Sequence, residues 1–236
     1  MSGMTEEDLS ARVARAFPIS LEERAGKAGA EHISELERLV NEDKIGDAIL
    51  YLRVNEQNIG QDLVATLDTY LLRQLTAPLN MDSSRAAAFR SDLDTKILSL
   101  LELINYNKNK IRISGSAITG KSSKTGKLFS SESDIDLGVI VSNAQFDDLV
   151  ASIESKLFEG KNIESYRASR EYKEFLKQRA KGKISKFWLN KIARDKSLSF
   201  QLEQTAQQYG HKSIDLSFIR EGSEFDTSQS IPLFQE

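Results

Sequence analysis

At Lys110 the spacing of apolar residues changes, and no single class of secondary structure fits both sides of that boundary. Across residues 5–106 they recur at three and four, as in Leu36, Leu39 and Val40 and then Ile45, Ala48, Ile49 and Leu52, which is the helical period. Breaks are expected at Phe17-Pro18, across residues 55–60 and at Ala77-Pro78, and Asp82-Ser83-Ser84 reads as a helix start ahead of residues 86–103. Beyond Lys110, Ile111-Arg112-Ile113 alternates, as does Ile135-Asp136-Leu137 running into Gly138-Val139-Ile140-Val141, and residues 214–219 form a third expected strand. Between them, Leu149, Ile153 and Leu157 share one face of a helix over residues 146–158. The expected class is therefore α+β: a helical accessory region (residues 1–104), a mixed sheet flanked by helices (105–222) and a loosely held tail (223–236).

The chain has 236 residues, 39% of them hydrophobic, enough for a sizeable core. Its net charge of -3 argues against a generally basic nucleic-acid coat, so any basic surface must be local. Such a surface is encoded over residues 166–196, where eleven Lys or Arg face three acids, a local excess of eight positive charges. Tyr172, Phe175, Phe187 and Trp188 are interspersed there, a mixture suited to neutralising phosphates and stacking bases of RNA; a pair of solvated helices with aromatics facing the core is the other reading. Within it Lys177, Arg179, Lys181 and Lys183 are the candidate acceptor-binding residues. With no cysteine, disulfides, thiolate zinc sites and cysteine nucleophiles are excluded. The acidic start, residues 1–8, and the lack of a long apolar run predict neither a cleavable signal nor a membrane span.

Read as a strand, Ser133-Asp134-Ile135-Asp136-Leu137 puts Asp134 and Asp136 on one face and Ile135 and Leu137 on the other. Two carboxylates so placed repel each other unless a counter-charge joins them. Hard, oxygen-seeking cations suit such a pair, and two magnesium ions about 4 Å apart would stabilise the attacking and leaving oxygens of a phosphoryl transfer. A bare Asp-x-Asp is nevertheless a common tripeptide. Upstream, Gly115-Ser116 follows a strand and lets backbone amides approach a triphosphate, although the same dipeptide makes ordinary turns. Downstream, Ser213-Ile214-Asp215-Leu216-Ser217-Phe218 sets Asp215 on the face opposite Ile214, Leu216 and Phe218, where it is a third acid or a plain surface residue. Glu132 is the nearest substitute acid in sequence. His211, four residues before Asp215, suits a structural role more than a phosphate contact.

Strand, Gly115-Ser116, loop, Ser133-Asp134-Ile135-Asp136 and a later Ile214-Asp215-Leu216 strand together resemble the DNA polymerase β-like nucleotidyltransferase superfamily, over residues 105–220 with 17 residues between Ser116 and Asp134. The resemblance implies two magnesium ions held by Asp134, Asp136 and Asp215, with Asp215 serving the catalytic ion and the acceptor hydroxyl. It also implies a nucleoside triphosphate held at Gly115 and Ser116, whose nucleoside monophosphate passes to a hydroxyl on RNA or protein. The basic loop from Thr119 to Phe129 adds Lys121 and Lys124 as nucleotide-binding candidates, or else is merely solvated. Its spread-out form, Gly-Ser-x-x-Thr-Gly to Thr-Gly-x-x-Phe to Ser-Asp-x-Asp, resembles the nucleotidyltransferase domains at the C-termini of bacterial polymorphic toxins. That likeness implies delivery into another cell, action in the cytoplasm and an immunity or inhibitor protein as partner. Two alternatives stay open: a catalytically degenerate binding protein on the same fold, and an alarmone-type pyrophosphokinase.

Overall fold

The computed structural model describes residues 21–97, 110–192, 198–226 and 229–234. They fall into two units, Met1–Leu75 with Thr119–Leu128, and Thr76–Ile118 with Phe129–Glu236. Among the described residues no helix is long and apolar enough to cross a membrane.

The first unit is built from helices α1 (Leu21–Asn41), α2 (Ile45–Val54), α3 (Glu56–Ile59) and α4 (Gln61–Gln74). Their three-and-four spacing becomes a core: Ile33, Leu36 and Leu39 of α1, Ala48, Ile49 and Leu52 of α2, and Leu63, Leu67 and Leu71 of α4 are all buried. The expected break over residues 55–60 is present as Asn55, the one-turn α3 and Gly60, whose φ of 91° ends the helical path. The break expected at Phe17-Pro18 lies outside the described residues.

The second unit opens with α5 (Ser83–Asp92), capped by Asp82, whose side chain accepts from Arg85 N at 2.8 Å. It runs into a π-helical turn, Leu93–Ile97, and the rest of the helix expected to residue 103 is outside the described residues. Among the described residues five strands follow: β1 (Ile111–Ser114), β2 (Asp134–Val141), β3 (Lys183–Ser185), β4 (Ser213–Arg220) and β5 (Ser230–Pro232). They form one mixed sheet in the order β3-β4-β2-β1-β5. β2 and β4 are parallel and central; β1 pairs antiparallel with β2 and with β5, and β3 pairs antiparallel with β4. Parallel neighbours cannot be joined by a hairpin, so the chain between β2 and β4 makes a long excursion through α6 (Asn143–Phe158), α7 (Ile163–Arg167), α8 (Arg170–Ala180), β3, α9 (Lys186–Ile192) and α10 (Leu198–Gln208). Helix α6 starts at a capping box in which the Ser142 hydroxyl accepts from Gln145 N and the Gln145 side chain accepts from Ser142 N. It buries Phe146, Leu149, Val150, Ile153 and Leu157, the face expected from the sequence.

Three features add to the reading of the sequence. Helix α5 belongs with the sheet in the second unit: Phe89 packs edge-to-face on Tyr209 at 5.2 Å, whose hydroxyl donates to Asp92 at 2.9 Å. In the basic stretch, described over residues 166–192, the short strand β3 separates helices α8 and α9. The segment after residue 222 is not a loose tail throughout. Ile231 and Leu233 are buried, β5 extends the sheet, and Leu233 N donates to Ile111 O at 2.9 Å.

Candidate active site

Alternation along β2 and β4 gives the sheet one apolar face, with Ile135, Leu137, Val139, Ile214, Leu216 and Phe218 all buried. The opposite face carries the polar residues of the same strands. Registration decides which of them meet. Asp136 is paired with Asp215 across the parallel ladder, Asp134 with Ser213, and Ser114 of β1 with Asp136 across the antiparallel ladder. Registered partners point to the same side of a sheet, so Asp134, Asp136 and Asp215 share one face at the N-terminal ends of β2 and β4. Neighbouring strands are about 4.8 Å apart, which makes Asp136 and Asp215 immediate neighbours.

Gly115 completes this corner. It follows β1 with φ of 71°, a conformation that strains any side chain, and a Cβ placed there would overlap the Asp136 carboxylate. Glycine is therefore required twice, by the backbone and by the close approach to the acid. A one-turn helix, Ser116–Thr119, follows it. Gly138 has a comparable role two residues past Asp136, where a Cβ would press on Ile219 Cδ1 at 2.6 Å.

Two of the acids have partners that sequence reasoning did not supply. Ser213 Oγ donates to Asp134 Oδ1 at 2.7 Å. Lys186, the first residue of α9, donates to Ile214 O at 3.0 Å and places its ammonium 3.8 Å from Asp215 Oδ1. In the sequence Lys186 is one of eleven basic residues and nothing marks it, because its position depends on the short β3 that precedes it. The donor set is all oxygen, which is the chemistry of a hard divalent cation, and Asp134, Asp136 and Asp215 are the residues that would hold one. Among the described residues no three His, Asp or Glu side chains gather closely enough to hold one ion.

The remaining candidates are carried by other elements. Lys121 and Lys124 belong to the helical unit, where Lys121 Nζ is 2.9 Å from Glu56 Oε2 and Lys124 is exposed in a turn. Lys177, Arg179, Lys181 and Lys183 cluster around the C-terminal end of α8 and the start of β3. Lys183 is paired with Ile219, four residues beyond Asp215 on β4, so this group sits about 13 Å farther along the sheet. Arg179 is 3.4 Å from Glu154, and with Lys181, Gly182, Arg220 and Ser223 it lines a cleft of about 610 Å³. Of the four aromatics interspersed with these cations, Tyr172, Phe175 and Trp188 are buried and only Phe187 is exposed. Glu132 is exposed in the turn before β2. His211 is buried against the Phe129 ring at 5.2 Å, with neither ring nitrogen hydrogen-bonded, and burial together with the charge of Arg85 pushes its pKa down.

No family model matches the chain, and no curated protein or solved structure matches it either.

Proposed function

We propose that the chain is a magnesium-dependent nucleotidyltransferase that moves a nucleoside monophosphate from a nucleoside triphosphate to a hydroxyl acceptor. The observation that carries this reading is the pairing of Asp136 with Asp215 in a parallel ladder, with Asp134 on the same face and Gly115 pressed against Asp136. A fold needs no such constellation. Side-by-side carboxylates repel, and a glycine conserving space for an acid does nothing for a core. In a phosphoryl-transfer site both features have a use.

The chain's own residues divide the work. Asp134, Asp136 and Asp215 supply the acidic ligand set, and Gly115 and Ser116 supply backbone donors at the strand end for the triphosphate oxygens. Asp215 also orients the acceptor hydroxyl and takes its proton in this reading. Magnesium, when bound, contributes neutralisation of charge on the attacking and leaving oxygens. Lys186 balances the Asp215 carboxylate and is positioned to follow the negative charge of the reactants. The basic group at Lys177, Arg179, Lys181 and Lys183 suits a larger anionic partner, RNA as acceptor or an acidic inhibitor protein, rather than the triphosphate. Action as a toxin in the cytoplasm of a recipient cell belongs to the same proposal and rests on the sequence likeness of its Gly-Ser to Asp-x-Asp segment.

The experiment is incubation of the full chain with each of the four ribonucleoside triphosphates, labelled on the α-phosphate, with magnesium and either total RNA or bacterial lysate. Label in a macromolecule, absent with Asp136→Ala, supports the reading. No transfer from any triphosphate to any fraction contradicts it.

A further inference from the structure

Helices α8 and α9 enclose a second cleft, of about 450 Å³, lined by Arg170, Glu171, Glu174 and Gln178 of α8 and by Phe187 and Trp188 of α9. Its accessible wall is apolar although four of the six lining residues are polar, so those four present their carbon stems to it. Phe187 is 53% exposed. Its ring packs edge-to-face on the buried Trp188 at 4.8 Å, and Lys191 Nζ lies 5.0 Å from its centre. A phenyl ring held in this way adds little to the core and leaves a flat apolar surface open beside a cation.

The same helix carries a row of positive charge. Arg170, Lys173 and Lys177 of α8 and Lys181 just beyond it recur at three, four and four residues, which aligns them over about 16 Å of helix axis. All four are exposed. Among the described residues Arg170, Lys173 and Lys181 have no ion pair, and Lys177 has only a 3.5 Å approach to Glu174. Like charges four residues apart destabilise a helix, so the row weakens α8 until anions neutralise it. Arg170 belongs both to the row and to the rim of the cleft. The other charges of the rim are acidic. Glu171 is held by the Tyr166 hydroxyl at 2.7 Å and by Lys191 at 3.2 Å, and Glu174 is exposed. Such a rim repels a phosphate or carboxylate from the cleft and can accept from the amino group of an uncharged ring. Anions therefore suit the row and a flat neutral ring suits the cleft, and a nucleotide joins the two.

We infer that this face binds single-stranded RNA, with one base stacked on Phe187 in the cleft between α8 and α9 and the backbone phosphates along Arg170, Lys173, Lys177 and Lys181. A duplex keeps its bases stacked on one another and offers none to Phe187. The inference names the acceptor class within the proposed function, and rests on that reading only for the transfer that follows binding.

The test uses the full chain without triphosphate. Fluorescence anisotropy measures binding of a labelled RNA strand about twelve nucleotides long, of the same strand annealed to its complement, and of an abasic strand of equal length. Wild type is expected to bind the intact single strand about tenfold more tightly than either of the others, the gain expected of one stacked base. The emission of Trp188, the one tryptophan of the chain, should change with the intact strand and not with the abasic one. Phe187→Ala and Phe187→Leu should each weaken the intact strand about tenfold and the abasic strand less than about threefold, while Phe187→Tyr keeps both. Lys173→Gln combined with Lys177→Gln should reduce the salt dependence of both strands alike. Equal affinity of wild type for intact and abasic strands would overturn the inference without recourse to any variant, as would unchanged binding by the Ala and Leu variants. Polyglutamate of equal length bound as tightly as the RNA at the same salt would also overturn it, in favour of an acidic protein. Nucleotidyl transfer to protein without binding of single-stranded RNA would sink this inference alone, whereas the expected RNA binding with no transfer from any triphosphate would sink the proposed function alone.

Discussion

Asp136 and Asp215 are register partners on adjacent parallel strands, and no residue intervenes between their carboxylates along the ladder. Carboxylates on adjacent strands, whose backbones are about 4.8 Å apart, disfavour each other, an effect the Lys186 ammonium offsets in part at Asp215. Asp215→Asn is therefore expected to unfold at the same temperature as wild type or higher without divalent cation, and to gain less than wild type when magnesium is added. Thermal unfolding with and without magnesium measures both. A drop of several degrees for the variant in the absence of cation would show that the carboxylate is a structural group.

Lys186 competes for the same carboxylate. Its ammonium is 3.8 Å from Asp215 Oδ1, with both side chains about one-third exposed, so the pair itself contributes no more than ~1 kcal/mol. Lys186→Met should then cost little stability but lower the magnesium concentration needed for half-maximal thermal stabilisation, because a local positive charge is gone. An unchanged magnesium midpoint would remove Lys186 from the account of the site.

Reversing the charges of Lys177, Arg179, Lys181 and Lys183 to Glu should weaken RNA binding at low salt by a factor of ten or more, roughly as expected when several phosphate contacts are lost. Triphosphate binding should stay within about threefold, given the ~13 Å that separates Lys183 from Asp215 along the sheet. Electrophoretic shift with total RNA and filter binding of triphosphate test the two halves. Equal RNA affinity before and after reversal would make the cluster a solvated surface.

His211 gives the second unit a pH dependence. Burial and Arg85 lower its pKa from the ordinary 6.5, so the fold keeps the ring neutral at pH values where the unfolded chain already takes up a proton. Both states are neutral well above 6.5 and stability is unaffected there; as pH falls below 6.5 toward the depressed folded value, stability is lost. Denaturant titrations at pH 7.5 and 5.5 should show a larger loss for wild type than for His211→Phe. Identical losses would place the acid sensitivity elsewhere.

The elements legible in the sequence are those whose hydrophobic period is long enough to outweigh local composition. β2 alternates from Asp134 to Leu137 and β4 from Ser213 to Phe218, and that alternation puts Asp134, Asp136 and Asp215 on the polar side of their strands. That those strands are neighbours, with Asp136 opposite Asp215, was a matter of registration that no single segment encodes. β3 is three residues, Lys183-Ile184-Ser185, with one buried side chain, and a basic stretch hides it completely. β5 contains Pro232, which normally argues against a strand and is tolerated here because β5 is at the sheet edge. The bond from Arg53 Nε to the Thr119 carbonyl is hidden in the same way, since the two residues are 66 apart and any residue would offer that carbonyl.

The central claim is transfer of the α-phosphorus at a centre made by three aspartates, and parallel reactions with α-labelled and γ-labelled triphosphate test it most directly. The account predicts that α-label enters the acceptor while γ-label leaves as pyrophosphate. It further predicts that Asp136→Ala abolishes transfer, and that Asp215→Asn lowers the single-turnover rate at least about a hundredfold while triphosphate affinity stays within about threefold. Transfer of γ-label to an acceptor, or full α-transfer by both variants, would contradict it.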